Sequence, residues 1–406
     1  MRKLIFLLLV LPLLSKAQYS GTASVTQGLA TTTTTNLYSC AGGRVSALGT
    51  IKASDNSVWT VPAVVNYTNT NFPFASNLYN ECTGATYANS TLALAALNGS
   101  DIVNVDANGE VITAYIFADN YFEIYINGIP VGKDNVPFTQ FNSNIVRFKV
   151  NRPFTIAMLL VDWEERLGVG GETNGGFTYH SGDGGMVAVF KDASNNIIAQ
   201  TGSDWKAQTF YTAPIKDLIC PTEYGTSRLS SSCSTTDSNA GTAYYGLHWA
   251  RPTNWTSVAF DDTSWPTATT YTNTTIGVDN KPAYTNFTNI FDDITNDAQF
   301  IWSKNVILDN EVIVRKTVAS LSVLDNDFLN DKVTIYPNPA KTEFHLSIDK
   351  SINGINKIQI FNILGEKVFE TQVISETINF GTIPCGIYLV KILSNQFQIT
   401  KKLIVE

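Results

Sequence analysis

A stretch of alternating residues between positions 109 and 132 constrains the fold of this chain more than any other feature. Residues 111–117 and 121–126 follow an alternating pattern and are rich in β-branched and aromatic types. This pattern indicates two half-buried strands. The polar residues 118–120 between them predict a tight turn, so we expect a hairpin here.

A second turn signal follows at once. Asn127 and Gly128 supply the positive φ angles of a type I′ turn, which predicts that the chain doubles back into residues 129–131. Charged residues make up only 15% of the chain, and Thr, Ser, Asn and Gly are abundant. Both observations favour an all-β extracellular protein.

The first 17 residues have the pattern of a secretory signal peptide. Arg2 and Lys3 precede an apolar run over residues 4–14, and residues 15–17 form a small-x-small cleavage site. The alternative, a transmembrane anchor, is disfavoured because the run is about half as long as a bilayer requires. No later run is long enough either, so we expect a mature chain without a membrane span.

The balance of charge argues against two classes of partner. The formal net charge is −8, and loss of Arg2, Lys3 and Lys16 with the signal peptide makes it −11. Such a chain is not expected to bind nucleic acid or an anionic membrane. Neutral sugars, bound calcium or solubility alone are each compatible with this charge.

Five cysteines in an exported chain suggest two disulfides and one unpaired residue. Proximity in sequence favours Cys40 with Cys82 and Cys220 with Cys233, each pair closing a polar loop. Cys385 is then the unpaired residue. Sequence alone does not determine this connectivity.

Five segments describe the predicted organisation: a signal peptide (1–17), polar N-terminal strands and loops of the main domain (18–99), a β-sandwich (100–317), a linker (318–330) and a C-terminal domain (331–406). Further strand patterns occur at 145–150, 155–161, 186–190, 197–201, 299–303 and 310–315.

The main domain carries motifs known from other secreted proteins. Residues 119–128, 260–265 and 300–310 resemble, in this order, segments of galactose-binding-like jelly-roll modules. The resemblance extends over residues 100–316. It implies an antiparallel jelly-roll sandwich, often with a structural calcium and often with carbohydrate bound at loops along one edge.

The C-terminal segment resembles a second family. Residues 333–340 with Pro337-Asn-Pro339, then 344–348, 358–365 and 382–390, are similar to the type A C-terminal sorting domain of the type IX secretion system. The resemblance implies a small Ig-like β-sandwich that engages the type IX secretion machinery. It also implies that this domain is removed and that the remainder is released or attached to the outer cell surface.

A glycine-rich loop bearing acids is the best candidate for a binding site, because loops on a rigid β scaffold concentrate such residues. We predict that its polar and aromatic side chains bind a ligand: Asp162, Trp163, Glu164, Glu165, His180 and Asp183. An indole ring can stack on a sugar face, and carboxylates can accept its hydroxyls. The alternatives are a tryptophan buried in the core and acids that are solvated or bound to calcium.

Catalysis is less favoured than binding. On a strand, Asp162 and Glu164 would share a face, so a two-carboxylate glycosidase site is conceivable. However, the chain has only three histidines and lacks a CxxC pair, a GxSxG elbow and a phosphate loop.

One short segment resembles a calcium loop. Asn104, Asp106 and Asn108 place oxygen atoms at alternate positions before Gly109, as calcium ligands are placed. A turn at Asn108-Gly109 explains the pattern equally well. Calcium is therefore a cofactor hypothesis only.

From the sequence, we expect a secreted or cell-surface, non-enzymatic β-sandwich that binds carbohydrate. The first alternative is a structural or adhesive surface protein with no small ligand. A polysaccharide-active enzyme is the less favoured third hypothesis.

Overall fold

A computed structural model describes residues 19–237, 241–293, 296–319, 332–349, 355–394 and 398–406. The chain divides into two compact units, the first ending at Val318 and the second beginning at Ala319. The predicted signal peptide (1–17) and nearly all of the predicted linker (318–330) lie outside the described residues. Within the described ranges, no helix has the length and apolar character needed to cross a membrane.

The first unit is built from β-strands with four short helices in its described part. Its strands are β1 (Ser24–Gln27), β2 (Thr31–Thr34), β3 (Leu48–Lys52), β4 (Val58–Val61), β5 (Ser76–Asn80), β6 (Ala85–Thr86), β7 (Ile102–Asn104), β8 (Glu110–Asp119), β9 (Tyr121–Ile126), β10 (Ile129–Lys133), β11 (Ser143–Val150), β12 (Phe154–Val161), β13 (Gly171–Asn174), β14 (Phe177–Ser181), β15 (Gly185–Lys191), β16 (Ile197–Gln200), β17 (Lys206–Ile215), β18 (Thr222–Tyr224), β19 (Ser227–Leu229), β20 (Tyr245–His248), β21 (Thr269–Tyr271), β22 (Asp292–Asp293), β23 (Asn296–Asp297), β24 (Phe300–Trp302) and β25 (Asp309–Val318). The helices are α1 (Ser90–Ala95), α2 (Asn273–Ile276), α3 (Pro282–Thr285) and α4 (Thr288–Phe291).

Seven strands form an antiparallel sheet in the order β1-β20-β17-β25-β12-β9-β10. Every residue of β12 is buried, because this sheet is covered on both faces. Ile156, Met158 and Leu160 join one core cluster with residues of the second sheet, whereas Ala157 and Leu159 join a cluster on the other face. The latter includes the rings of Trp163, Trp249, Trp255 and Trp265.

The second sheet has nine strands and contains the path β21-β24-β15-β8-β11-β5-β6. Strand β16 pairs with β15, and β7 pairs with β11 in parallel. Apolar side chains of β8 and β15, such as Ile116 and Val187, share a core with Ile124 of β9 and Val312 of β25. The two sheets thus enclose one hydrophobic core between them. The described protein is all-β in class, as the sequence predicts.

The first predicted hairpin is wrong. Strand β8 pairs with β11 and β15 in the nine-stranded sheet, whereas β9 pairs with β10 and β12 in the seven-stranded sheet. At the crossing, Asp119 pairs with Gly185, and the backbone N–H of Asn120 donates to the carbonyl of Val161. Because β8 and β9 pair with different neighbouring strands, they belong to different sheets. Residues 118–120 therefore form a crossing between the sheets rather than a hairpin turn.

The second predicted hairpin is confirmed. Strands β9 and β10 pair antiparallel with Ile126 opposite Ile129. Asn127 has a φ of 51° and Gly128 a φ of 83°, which are the positive angles of a type I′ turn.

Both predicted disulfides are present, and each ties a loop of the first unit. Cys40 bonds to Cys82 across 42 residues, and Cys220 bonds to Cys233 across 13 residues. Cys385 is a free, exposed thiol in the second unit.

The second unit is a small antiparallel β-sandwich. Its strands are β26 (Val333–Tyr336), β27 (Glu343–Ile348), β28 (Ile355–Asn362), β29 (Lys367–Thr371), β30 (Thr377–Asn379), β31 (Gly386–Ser394) and β32 (Gln398–Val405). They form a three-stranded sheet, β26-β27-β30, and a four-stranded sheet, β29-β28-β31-β32. Phe344 from one sheet and Ile360 and Val390 from the other are buried in one core.

Candidate functional site

An acidic pocket of about 350 Å³ lies at one end of strands β8, β12 and β15. Asp119 is the last residue of β8, Asp162 directly follows β12, and Asp183 lies two residues before β15. The pocket is lined by Arg44, Asp119, Asn120, Thr139, Phe141, Asp162, Glu172, Asn174, Gly182, Asp183, Ile276, Gly277 and Lys281. We refer to it as the acidic pocket.

Backbone pairing brings the three aspartates together. Asp119 is opposite Gly185 in the β8–β15 ladder, which places it near Asp183. The side-chain oxygen of Asn120 accepts a 2.6 Å hydrogen bond from the backbone N–H of Trp163. This bond fixes the crossing at Asn120 against the segment that carries Asp162.

The Asp162 carboxylate is the most unusual group in the pocket. Its residue is only 5% exposed, yet its carboxylate accepts no hydrogen bond and forms no ion pair within the described ranges. Burial raises the pKa of Asp162 well above its ordinary value, and the negative charge of Asp119 raises it further. Gly182 leaves room for it, because a Cβ there would lie 3.0 Å from Asp162 Oδ2.

The other acids of the pocket are perturbed in the same direction. Burial, then the charge of Asp183, raises the pKa of Asp119 well above its usual range. Burial raises the pKa of Asp183 to about 6, against the opposing effect of His180 and Lys281. Burial also raises the pKa of Glu172, and the Arg44 guanidinium partly offsets this effect. Carboxyl groups with raised pKa values therefore lie close together in one small volume, so their titrations are interdependent.

Two cations lie on the wall of the pocket, and both already have neighbours. Arg44 forms a 2.5 Å ion pair with Glu172 and lies 3.9 Å from Glu165. The Lys281 ammonium lies 4.6 Å from the centroid of the Phe141 ring, in cation–π geometry. Since Glu172 engages Arg44, Lys281 is the other cation of the lining, and its charge acts on Asp119 and Asp183.

Trp163 belongs to the core and not to the pocket. It is 1% exposed, packs edge to face on Tyr121, and its indole N–H donates to the carbonyl of Ala47 at 3.1 Å. Its ring is therefore not accessible for stacking on a sugar, and the alternative of a buried tryptophan describes it.

The Glu164 carboxylate holds the glycine-rich loop in place. Its buried carboxylate accepts from the backbone N–H groups of Gly168, at 2.9 Å, and Gly170, and from the Tyr211 hydroxyl. Burial raises its pKa to about 7, and these hydrogen bonds oppose the rise. Glu164 shapes the glycine-rich loop and does not line the acidic pocket.

Glu165 and His180 are also outside the pocket lining. Glu165 accepts a 2.7 Å hydrogen bond from the backbone N–H of Thr173. The Nδ1 atom of His180 lies 2.9 Å from both carboxylate oxygens of Asp237. Of the six predicted ligand-binding residues, the structure thus brings only Asp162 and Asp183 together at the pocket.

The predicted calcium residues lie at the end of β7, where Asn104 is the last residue, and in the connection to β8, which carries Asp106 and Asn108. Asn104 and Asn108 are exposed, and the Asp106 carboxylate accepts a 2.8 Å hydrogen bond from the backbone N–H of Asn151. Gly109 passes close to β11, since a Cβ there would lie 2.4 Å from the nitrogen of Val150. Among the residues that the structure describes, no three His, Cys, Asp or Glu side chains are arranged to hold a metal ion.

Sequence reasoning missed four charged residues of the pocket: Asp119, Glu172, Arg44 and Lys281. Asp119 carried a signal, since it stands next to Asn120 between two strong strand patterns, but the pattern was interpreted as a turn. Arg44 and Lys281 are distant in sequence and had no signal of their own.

Comparison with known proteins identifies the second unit. Residues 334–406 match the Secretion system C-terminal sorting domain. This type IX sorting domain implies export to the cell surface or outside the cell and interaction with the type IX secretion machinery. The sequence-based assignment of the C-terminal domain is confirmed.

A curated relative is the endo-acting ulvan lyase of Formosa agariphila, which is 35% identical over 102 residues. The match covers 24% of this chain, and the chain spans only 19% of that relative's length. This partial match leaves the choice between binding and catalysis open.

Solved structures give only weak likenesses. A Faecalibacterium prausnitzii beta-glucuronidase matches at 10% identity and a TM-score of 0.16, covering 95% of this chain and 45% of that one. The BSP domain of a biofilm associated protein matches at 11% identity and a TM-score of 0.18, covering 74% of this chain and 76% of that one. Scores this low do not define a fold.

Proposed function

We propose that this exported, non-enzymatic protein binds carbohydrate in the acidic pocket at the ends of β8, β12 and β15. The observation that carries the proposal is the Asp162 carboxylate, which lines the pocket on a residue that is only 5% exposed and has no hydrogen-bond donor in the described chain. Its oxygens are open to the pocket and not sealed in the protein interior. A ligand that donates hydrogen bonds would supply that donor.

The size and lining of the pocket support a saccharide. A volume of about 350 Å³ is within the range of small-molecule sites and suits one or two sugar rings. Carboxylates make strong hydrogen bonds with hydroxyl donors. Thr139 and Asn174 add further polar groups to the lining that can hydrogen-bond to sugar hydroxyls.

The location of the protein also supports the proposal. The sorting domain implies export, and an exported protein meets extracellular polysaccharides. The proposal includes removal of residues 1–17 and of the sorting domain during export, which leaves the first unit released or attached to the outer surface. Mass spectrometry of the secreted protein would reveal both cleavages.

The first unit is further proposed to be a galactose-binding-like jelly roll. Two sheets around one core, antiparallel apart from the β7–β11 pair, support this assignment. Of the segments that resemble this family, 119–128 contains the last residue of β8, strand β9 and the turn to β10. Segment 300–310 contains β24 and the start of β25. In segment 260–265, Asp262 pairs with the buried Arg315 at 2.6 Å. Calcium at Asn104, Asp106 and Asn108 remains a weaker part of the hypothesis.

A glycan array tests the proposed function. The full-length protein is applied beside Asp162→Asn and a matched control, Asp217→Asn, which changes an exposed aspartate outside the pocket. We expect binding to at least one glycan that Asp162→Asn loses and Asp217→Asn retains. Absence of binding to any glycan would favour the structural or adhesive alternative.

A second candidate, a polysaccharide-cleaving enzyme, has one supporting observation. Burial raises the pKa of Asp119 and of Asp162, and a carboxyl group with a raised pKa can act as a general acid near neutral pH. Incubation with plant, algal and host polysaccharides, followed by a reducing-end assay, distinguishes the two. If the wild type forms cleavage products and Asp162→Asn forms none, the function is catalysis and not binding alone.

A further inference from the structure

The charges around the acidic pocket favour one chemical class of saccharide. Resting on the function proposed above, we infer that the pocket recognises a protonated amine, so that its ligand is an amino sugar with a free ammonium group. A neutral N-acetylated sugar and an acidic sugar are the two alternatives that the same pocket would discriminate against.

The first reason is the excess of negative charge. Asp119, Asp162 and Asp183 all line the pocket, and Glu172 on its wall is paired with Arg44. Lys281 is the remaining cation of the lining. Like charges confined together are unfavourable, and a cationic ligand removes this penalty. A uronic acid or a sulfated sugar would add to it.

The second reason is the geometry of Asp162. The residue is 5% exposed and lines the pocket, and no donor is bonded to its carboxylate among the described residues. An ammonium group brings three donors and a positive charge to this carboxylate. A hydroxyl group brings one donor and no charge.

The pocket lining already contains one ammonium group. The Lys281 Nζ atom lies 4.6 Å from the Phe141 ring centroid, and both residues line the pocket. The aromatic face and the carboxylates together make an environment in which a primary ammonium group is stabilised.

Proton release accompanies such binding. The charged groups around Asp162 are Asp119, Asp183, Glu172, Glu164, His180, Arg44 and Lys281. Burial raises the pKa values of Asp119, Asp162 and Asp183, that of Asp183 to about 6, so Asp183 is partly protonated at about that pH. A bound ammonium group favours the ionised carboxylates, and protons must leave as it binds.

Isothermal titration calorimetry of the full-length protein tests the inference. Three hexasaccharides serve as probes: fully deacetylated chitosan hexamer, fully acetylated chitin hexamer, and hexagalacturonate. Titrations are run at about pH 6, where the amine is protonated, in two buffers of different ionisation enthalpy. The buffer dependence of the heat gives the number of protons released.

Four proteins are compared in each titration: wild type, Asp162→Asn, Asp183→Asn and Asp217→Asn. Asp183 is less buried than Asp162, so its variant guards against a folding defect. Asp217 is exposed and absent from the pocket lining, so its variant measures the general attraction of a polycation to an acidic protein. Melting temperatures confirm that each variant is folded.

We expect the chitosan hexamer to bind with proton release, and each pocket variant to weaken it by about tenfold or more, while Asp217→Asn leaves it unchanged. Equal binding of chitosan to wild type and both pocket variants would overturn the inference. Tighter binding of the acetylated or acidic hexamer, lost in Asp162→Asn, would overturn the inference but keep the proposed function. If none of the hexamers and none of the glycans on the array binds, both the amino-sugar inference and the proposed carbohydrate-binding function are wrong.

Discussion

The side-chain oxygen of Asn120 accepts a 2.6 Å hydrogen bond from the backbone N–H of Trp163, and the Asn120 amide nitrogen donates to the Asp119 carboxylate at 2.7 Å. One side chain thus joins the end of β8 to the segment after β12. Asp119 and Asp162 line the same pocket because these two strand ends, which belong to different sheets, are held together.

Removing this connection is expected to cost both stability and binding. Asn120→Ala leaves the buried N–H of Trp163 without its partner, which destabilises the first unit by about 1–3 kcal/mol. Chemical denaturation followed by tryptophan fluorescence measures the loss. All seven tryptophans lie at or before position 302, so this signal reports on the first unit. Asn71→Ala, at an exposed position, is the control and should be near neutral.

A methyl group at Gly182 is expected to disturb the pocket selectively. The added Cβ would lie 3.0 Å from Asp162 Oδ2 and 3.1 Å from Oδ1, so the carboxylate must shift. Gly182→Ala should weaken saccharide binding by about tenfold while changing stability by about 1 kcal/mol or less. Gly99→Ala is the matched control, because nothing lies within 4 Å of its Cβ position. Equal binding by both variants would show that this carboxylate does not contact the ligand.

The contribution of Glu164 to stability is expected to fall as pH rises from about 5 to about 8. Burial raises the pKa of Glu164 to about 7, so the folded state holds a proton that the unfolded state has released above its ordinary pKa. Stability from this proton is present at low pH and is lost as pH rises through the folded pKa. Asp134, with a pKa raised to about 7 by burial, and Asp309, raised to about 6, act in the same direction.

Glu164→Gln tests this assignment. The variant cannot titrate at this position, so its melting temperature should fall less between the two pH values than that of the wild type. Its absolute stability should be lower at low pH, because the amide matches the N–H groups of Gly168 and Gly170 less well than a carboxyl group does. A pH profile parallel to the wild type would assign the titration to other groups.

The two disulfides should contribute unequally. In the chain-entropy picture, closing the loop between Cys40 and Cys82 stabilises by about 4 kcal/mol, and closing the shorter loop between Cys220 and Cys233 by about 3 kcal/mol. The paired variants Cys40→Ser/Cys82→Ser and Cys220→Ser/Cys233→Ser, compared by denaturation, measure the difference. Cys385→Ser is the control, since this thiol is free.

The local sequence pattern predicts where the strands of the first unit lie better than it predicts which strands pair with one another. The alternation in residues 111–117 and 121–126 correctly indicated strands, which became β8 and β9. Their assignment to one hairpin failed because alternation reports which face is buried and does not report which strand lies alongside. The Asn127–Gly128 turn succeeded because its geometry depends on the φ preference of two adjacent residues.

The candidate site was only partly predictable for the same reason. Asp162 and Asp183 lie in a glycine-rich loop that composition alone singles out. Asp119 and Lys281 reach the pocket from other parts of the chain, and only the paired sheets bring them there. Trp163 was misleading because an indole ring next to acids has the same sequence pattern whether it is exposed or buried.

A crystal structure of the full-length protein with its tightest-binding array glycan tests the central claim most directly. The account predicts a sugar ring in the acidic pocket, with a donor group of the sugar within hydrogen-bond distance of the Asp162 carboxylate and a second near Asp183. A glycan bound at any other surface, with Asp162 still lacking a partner, would contradict it.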